Sequence, residues 1–163
     1  SGAYAAPMSP QEPARTIAVE PLRPETFEPF GDVISPPGTT GREVHSASLC
    51  HDGRSPVLST TRATPLELPF DVDLLERHRH SSQTFIPTSD ASWLVIVATS
   101  DDGRDLQAFE VQRGVGVTIA RDIWHHRLTV LETEATFAVL MWKSGDGDDE
   151  FTGIDRVTIE AAQ

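Results

Sequence analysis

The sequence contains little cysteine and no long apolar run. Its only cysteine among 163 residues is Cys50, which excludes an internal disulfide and a zinc site built from several thiolates, and fits a reducing compartment. No apolar run approaches the roughly 20 residues that a membrane-spanning helix needs. Residues 1–15 show no basic segment followed by an apolar one, so no secretory signal is predicted, although a removed leader or a tag remnant stays open. We therefore expect a cytoplasmic protein.

Basic residues are also scarce. The chain has 13 Lys and Arg against 25 Asp and Glu, and the resulting net charge of −12 disfavours nucleic-acid binding. Two short windows, residues 77–80 and 121–127, nevertheless hold four of the twelve arginines and four of the six histidines. These windows either focus positive potential into one cavity, if the fold brings them together, or lie on opposite sides as solvated turns.

The apolar residues come in short runs, because twelve prolines and eleven glycines are spread along the chain. This pattern favours short strands and turns over a helical bundle. One helical turn is predicted over residues 24–30, and turn signals such as 101–103 separate the β-rich segments. We predict an all-β, cupin-like double-sheet jelly-roll barrel with a few short helical turns. Residues 1–15 are expected to form a loose arm, and residues 16–163 a single catalytic domain.

Two histidine spacings resemble the sequence motifs of cupins. The spacing His78-x-His80-x-x-Gln83 resembles the first cupin motif, in which a Glu usually stands where this sequence has Gln83. Positions two apart on a strand face the same side, so His78 and His80 would point together into a barrel. Gln83 would either point into the same site or be a core amide satisfied by the backbone.

The second cupin motif is matched in part. Gly114 and His125 are in register with it, whereas Ala120 and Asp122 replace its usual Pro and Gly. Two histidines from one strand and one from a later strand would form a facial imidazole set suited to a divalent metal. The fourth ligand would be a neutral amide, so we expect a weakly bound, nickel- or manganese-like ion and no organic cofactor. The candidate metal ligands are His78, His80, Gln83 and His125.

A more specific resemblance runs from about Val19 to Phe151. The segments that carry it are 24–34, 61–63, 76–78, 83–87 and 122–126. They are similar, in order and spacing, to the signature segments of the ureidoglycolate lyase family. The resemblance implies a cupin-type barrel, a homodimer, that cleaves (S)-ureidoglycolate to glyoxylate and urea in allantoin and purine nitrogen catabolism.

The chemistry of that reaction suits the residue types present. Ureidoglycolate is a hemiaminal, so its cleavage needs a base for the hydroxyl proton, an acid for the departing urea nitrogen and a cation for the carboxylate. Histidine suits the proton steps near neutral pH, and arginine binds a carboxylate through two N–H groups. The candidates for the proton steps are His78, His125, Glu76 and Gln83. The candidates for binding the substrate are Arg62, Lys143, Arg121 and His126.

Individual roles follow from the expected strands. Arg62, on a position interpreted as inward-facing, is the first candidate for the carboxylate, and Lys143 is its substitute. His126 should face away from the site on a regular strand unless a bulge re-aims it. Glu76 would either orient a histidine or form an exposed ion pair with a neighbouring arginine. The acidic run 146–150 is interpreted as a solvated loop.

Other functions stay open at this point. Neither Cys50 nor a Gly-x-Ser-x-Gly segment offers a nucleophile, so a covalent mechanism is not expected. A metal-dependent cupin isomerase or dioxygenase acting on another small acid would need about one metal ion per chain. A non-catalytic ligand-binding cupin would bind small acids without turnover, and a hydrolase would release ammonia from ureidoglycolate. In each case we expect a small anionic ligand and neither a nucleic-acid nor a membrane partner.

Overall fold

The regular structure of the chain is almost entirely β, which confirms the predicted fold class. The computed structural model describes residues 2, 15–145 and 147–163, so most of the predicted arm lies outside the described residues. Among these residues the one helix is α1 (Pro24–Phe27), and no helix there is long and apolar enough to span a membrane. The strands are β1 (Arg15–Ala18), β2 (Glu20–Pro21), β3 (Gly31–Ile34), β4 (Ser55–Ala63), β5 (Phe70–His78), β6 (Gln83–Pro87), β7 (Trp93–Ala98), β8 (Gln107–Val111), β9 (Gly116–Ile119), β10 (Trp124–His125), β11 (Thr129–Val130), β12 (Ala135–Lys143) and β13 (Asp149–Glu160).

These strands form two sheets, as in a cupin-like double-sheet barrel. The eight-stranded sheet has the order β1-β13-β5-β10-β7-β8-β2, with β11 also paired to β7. The five-stranded sheet has the order β3-β9-β6-β12-β4. Pairing is antiparallel except for β1 with β13 and β2 with β8. Because β1 also contacts β8, the larger sheet is nearly closed on itself.

Two apolar cores lie on opposite faces of the larger sheet. The inter-sheet core fills the space between the sheets and includes Phe85, Trp93, Val95, Val97, Ile119, Phe137 and Met141. The second core lies on the other face and includes Val72, Leu75, Leu94, Ile96, Ala98, Trp124 and Val157. Successive side chains of a strand point to opposite faces, so β7 contributes to both cores and is buried along its whole length.

The packing of β3 against β9 depends on a glycine. Gly31 has φ +153°, and a Cβ built on it would lie 1.8 Å from the backbone carbonyl oxygen of Thr118. The residues before it form α1, which begins at a proline and buries Phe27 against Phe109. The predicted helical turn is therefore present, and Gly31 lets the chain pass directly from it into the five-stranded sheet.

The register of β5 fixes which side chains meet at the site. Glu76 lies directly opposite His125 of β10 on one side and opposite Phe151 of β13 on the other. Directly paired residues on antiparallel strands project to the same face. His125 is also paired with Val97, which packs in the inter-sheet core. Glu76, His125 and Phe151 therefore project to the inter-sheet face of the larger sheet.

Candidate functional site

Three side chains from β5 and β10 meet on that face. One possible ligand atom of each of Glu76, His78 and His125 lies within 4.8 Å of those of the other two. The two imidazole rings have centroids 5.3 Å apart, and Oε1 of Glu76 is 3.9 Å from Nδ1 of His125. Both histidines are buried, whereas Glu76 is partly exposed. We refer to these three residues as the His–Glu cluster.

The cluster contains buried ring nitrogens without hydrogen-bond partners among the described residues. His125 Nδ1 donates to the backbone carbonyl of His126 at 3.2 Å, and its Nε2 has no partner. Neither nitrogen of His78 makes a hydrogen bond. Its Nδ1 lies 2.9 Å from Oδ1 of Asp149, within ion-pair distance, but the two groups are not aligned as a hydrogen bond. A buried polar atom without a partner costs about 1–3 kcal/mol, so these nitrogens point to a ligand that completes the site.

Burial shifts the pKa values of His125 and Glu76. It lowers the pKa of His125 to about 3, with a smaller contribution from neighbouring His78, so the ring is neutral near pH 7. Burial raises the pKa of the Glu76 carboxyl, and nearby Asp149 raises it further, while His78 opposes both. A neutral imidazole offers a lone pair, and a carboxyl of raised pKa can hold a proton closer to neutral pH. The cluster therefore carries groups suited to proton transfer.

The same donor set fits a divalent metal ion. Two neutral imidazoles and one carboxylate from neighbouring strands form a common ligand set for first-row transition metals. The unpartnered nitrogens of His78 and His125 are available for such an ion. The structure supports Glu76 as the third ligand, in place of the predicted His80.

His80 lies away from the cluster because β5 ends at His78 and the chain bends there. The expectation that these two histidines share one strand face is therefore wrong. The His80 side chain is half exposed, and its Nδ1 lies 2.6 Å from Oδ2 of Asp52. A carboxylate from a loop thus pairs with this ring nitrogen.

Gln83 faces the interior between the sheets. It begins β6 and is paired with Ile119 on one side and Met141 on the other, both members of the inter-sheet core. Its Oε1 is buried without a hydrogen-bond partner among the described residues. The alternative that its amide oxygen is satisfied by the backbone is therefore not supported.

Arg62 does not face the interior, and this prediction is wrong. It lies on β4, an edge strand exposed along most of its length, opposite Thr136 of β12. Thr136 stands between the buried Ala135 and Phe137, so this face points outward. The Arg62 side chain is 65% exposed, and its guanidinium lies 3.5 Å from the Glu134 carboxylate.

The other predicted substrate-binding residues occupy different places. Lys143 is exposed at the end of β12, and Arg121 is exposed in the turn before β10. His126 is partly buried with its ring stacked on Phe70, and its Nδ1 is 3.1 Å from the Thr129 hydroxyl. Burial and neighbouring Arg127 lower the pKa of His126 to about 4. Of these three candidates, only His126 lines the cavity described next.

A cavity of about 400 Å³ extends to the cluster between β5 and the segment after β10. Glu76 and His125 line it, and Arg127 is the arginine in its wall. In the sequence analysis, Arg127 lies in a basic window but is given no role. Its position directly after the two histidines could have indicated that it lies near the site. Asp149, beside His78, was missed because the acidic run around it was interpreted as a loop. The remaining lining residues are Asp71, Asp73, Leu74, Leu75, His126 and Phe151.

Comparison with known proteins adds to this geometry. The family model described as ureidoglycolate lyase matches residues 14–161. The chain belongs to the ureidoglycolate lyase family. Within the family, the ureidoglycolate lyase of Burkholderia mallei (strain NCTC 10229) is 35% identical over 146 residues, covering 82% of this chain and 85% of that protein. The ureidoglycolate lyase of Burkholderia cepacia is 36% identical over 138 residues, covering 76% and 78%.

Two solved structures align with part of the chain. A 3,4-ketoisomerase from Helicobacter canadensis aligns with a TM-score of 0.41 and 17% identity, covering 56% of this chain and 66% of that chain. A sugar 3,4-ketoisomerase from Thermoanaerobacterium thermosaccharolyticum aligns with a TM-score of 0.42 and 15% identity, covering 56% and 64%. Assignment to the ureidoglycolate lyase family rests on the sequence matches.

Proposed function

We propose that this protein cleaves ureidoglycolate into glyoxylate and urea. The observation that carries the proposal is the set of unpartnered ring nitrogens on His78 and His125 beside the carboxyl of Glu76, next to a cavity that Glu76 and His125 line. Membership of the ureidoglycolate lyase family supports this substrate. The cavity volume of about 400 Å³ is ample for a molecule of this size.

The proposed reaction is an elimination that consumes no water. The hydroxyl of the substrate loses its proton, its C–O bond becomes the carbonyl of glyoxylate, and the electrons of the breaking C–N bond pass to the urea nitrogen. A neutral imidazole of the His–Glu cluster accepts the hydroxyl proton. The Glu76 carboxyl, whose pKa is raised by burial, delivers a proton to the leaving nitrogen. One proton is removed and one is delivered, so the cycle closes after exchange between these neighbouring groups.

Arg127 is our proposed site for the substrate carboxylate. It lines the cavity, and among the described residues no carboxylate lies at ion-pair distance from its guanidinium. A guanidinium binds a carboxylate through two parallel N–H donors, which fixes orientation as well as position. Arg121 and Lys143 do not line this cavity, so they are weaker candidates.

Glu76, His78 and His125 would also hold a divalent ion. When bound, such an ion would stabilise negative charge on the substrate's hydroxyl oxygen. We expect a weakly bound, exchangeable metal that raises the rate without being required, because the proton steps can be carried by the side chains themselves. Elemental analysis and titration with a chelator test this expectation. Tightly held metal at one ion per chain, with activity abolished by its removal, would contradict it.

The family resemblance further implies a homodimer acting in the cytoplasm in allantoin breakdown, and we include these points in the proposal. Support for a contact surface comes from the outer face of the five-stranded sheet. Leu58 of β4 is 76% exposed there, and Ile86 of β6 is 37% exposed. Their partners on β12, Leu140 and Ala138, are two residues apart, so both side chains project from the same face.

Product analysis tests the reaction. The protein is incubated with each enantiomer of ureidoglycolate, and urea, glyoxylate and ammonia are measured separately. We expect urea and glyoxylate in equal amounts with no early ammonia, and a rate close to the spontaneous background for a folded His125→Asn control. Ammonia formed in step with glyoxylate would indicate a hydrolase instead. Saturable binding without turnover would indicate a ligand-binding protein.

A further inference from the structure

A carboxylate from β13 lies against the histidine at the end of β5. Asp149 is paired directly opposite His78, so both side chains project from the same face of the sheet. Oδ1 of Asp149 is 2.9 Å from Nδ1 of His78. The histidine side chain is 7% exposed and the aspartate side chain 55% exposed. Asp149 therefore contacts a buried residue of the cluster while its own side chain is half exposed to solvent.

The neighbouring residue fixes this part of β13. Glu150 is bound by two arginines, one in β5 and one directly after it. Arg77 Nε and Arg79 Nε each lie 2.7 Å from one of its carboxylate oxygens. Arg77 also lies over the Trp124 ring, 4.4 Å from its centroid. Successive residues of a strand project to opposite faces, so this clamp lies on the face opposite Asp149. It holds the Asp149 backbone in place without occupying the site.

The contact bears on which ring nitrogen of His78 carries the proton. A neutral imidazole has one N–H and one lone pair, and a carboxylate accepts but does not donate. A carboxylate beside Nδ1 favours a proton there, which leaves the lone pair on Nε2. His125 has the equivalent arrangement, because its Nδ1 donates to the His126 carbonyl and its Nε2 has no partner.

We propose that Asp149 is a positioning residue that holds His78 in its Nδ1–H tautomer, so that Nε2 serves the reaction. This inference rests on the proposed function for the consequence in catalysis, but not for the tautomer itself. The carboxylate oxygen lies close to Nδ1 without hydrogen-bond alignment. Rotation of the half-exposed Asp149 side chain can supply that alignment while the Glu150 clamp keeps the backbone fixed.

Kinetics of three variants provide the first test. Asp149→Asn should lower kcat for ureidoglycolate cleavage about 10- to 100-fold, as loss of a carboxylate that orients a histidine does elsewhere, with KM changed less than about twofold. Asp149→Glu, which keeps the carboxylate, should recover part of the loss. Asp148→Asn is the matched control, because Asp148 contacts the backbone N–H of His80 and not the cluster. Its kinetics should equal those of the wild type.

Nitrogen-15 NMR of the imidazoles provides a readout that does not need turnover. With the His78 signals assigned through a His78→Asn variant, the wild type should show Nδ1 protonated, and Asp149→Asn should shift the population toward the Nε2–H form. An unchanged kcat or an unchanged tautomer in Asp149→Asn overturns the inference. If the wild type releases no urea yet the tautomer depends on Asp149, the proposed function fails while the positioning role stands.

Discussion

Five of the twelve arginines of this acidic protein form an ion pair with a carboxylate. Glu150 binds Arg77 and Arg79, and the other ion pairs of arginine join Arg62 to Glu134, Arg113 to Asp90 and Arg156 to Asp71. Arg127 has no such partner among the described residues and lies in the cavity wall. A guanidinium without a carboxylate partner, in the wall of the cavity that Glu76 and His125 also line, is the group that an anionic substrate would meet there.

Arg127→Gln should therefore weaken substrate binding. We expect KM to rise with kcat little changed, and kcat/KM to fall by an amount equivalent to about 1–3 kcal/mol, as for loss of a charge-assisted hydrogen bond. Arg62→Gln is the matched control, because Arg62 points outward and pairs with Glu134. Steady-state kinetics on ureidoglycolate make the comparison. If both variants behave like the wild type, the carboxylate is bound elsewhere, with Arg121 and Lys143 the next candidates.

Some residues of the site could be predicted from the sequence and others could not, for physical reasons. The motif spacing singled out His78 and His125, and the fold does bring them together. It could not indicate Asp149, because only the register of β13 on β5 places that residue beside His78. It misplaced Arg62, because an edge strand exposed on both faces gives no alternation from which to tell its inward side.

Among the elements, β3 packs so closely against β9 that its first residue has no room for a side chain. The strand begins at Gly31, where the chain leaves the turn after α1, and pairs with β9 from its first residue. The Thr118 carbonyl occupies the space that a side chain at position 31 would need. A backbone atom cannot move aside as a flexible side chain can, so the whole strand would have to shift.

Gly31→Ala should consequently destabilise the fold by at least about 2 kcal/mol, because overpacking adds to the strain of a φ that residues with a side chain avoid. Gly38→Ala is the control, since nothing lies within 4 Å of a Cβ built there. The free energy of unfolding in urea measures both. Equal unfolding midpoints for the two variants would show that β3 can adjust without cost.

The order of the elements was only partly predictable. Proline and glycine positions indicated short strands and the helical turn at Pro24, because these residues act locally. The parallel pairings of β1 with β13 and of β2 with β8 join strands far apart in the sequence. No local pattern encodes such contacts, and they place β1 and β2 at the two ends of the strand order of the larger sheet.

For the whole molecule, the buried histidines link stability to pH. The pKa of His125 is lowered to about 3 in the folded state from an ordinary value of 6.5, because the ring is buried. Between these pH values the unfolded chain binds a proton at His125 that the folded chain does not. The contribution of His125 to the free energy of unfolding is therefore fully present above about pH 6.5, and it decreases as pH falls toward 3. His126, with a pKa of about 4, acts in the same direction. Glu76, whose pKa is raised, opposes it.

The free energy of unfolding should therefore be lower at pH 5 than at pH 7.5, with about 2 kcal/mol of the difference due to His125 at about 1.4 kcal/mol per pH unit. Urea titrations in the presence of a chelator measure this difference. His125→Asn should reduce it by that amount, whereas His80→Asn, which alters a half-exposed ring, should not. A wild-type pH dependence in His125→Asn would contradict the assignment.

The position of β7 between the two cores has a consequence for the chain before it folds. A strand buried on both faces has no polar alternation, and Trp93–Ala98 is accordingly an uncharged, proline-free run of six apolar residues. Such segments favour cross-β aggregation when they are exposed in an unfolded chain. Asp90 before the strand and Asp101 and Asp102 after it place negative charge on both sides, as gatekeeper residues do. Burial of β7 on both faces therefore removes an aggregation-prone segment from solvent once the chain folds.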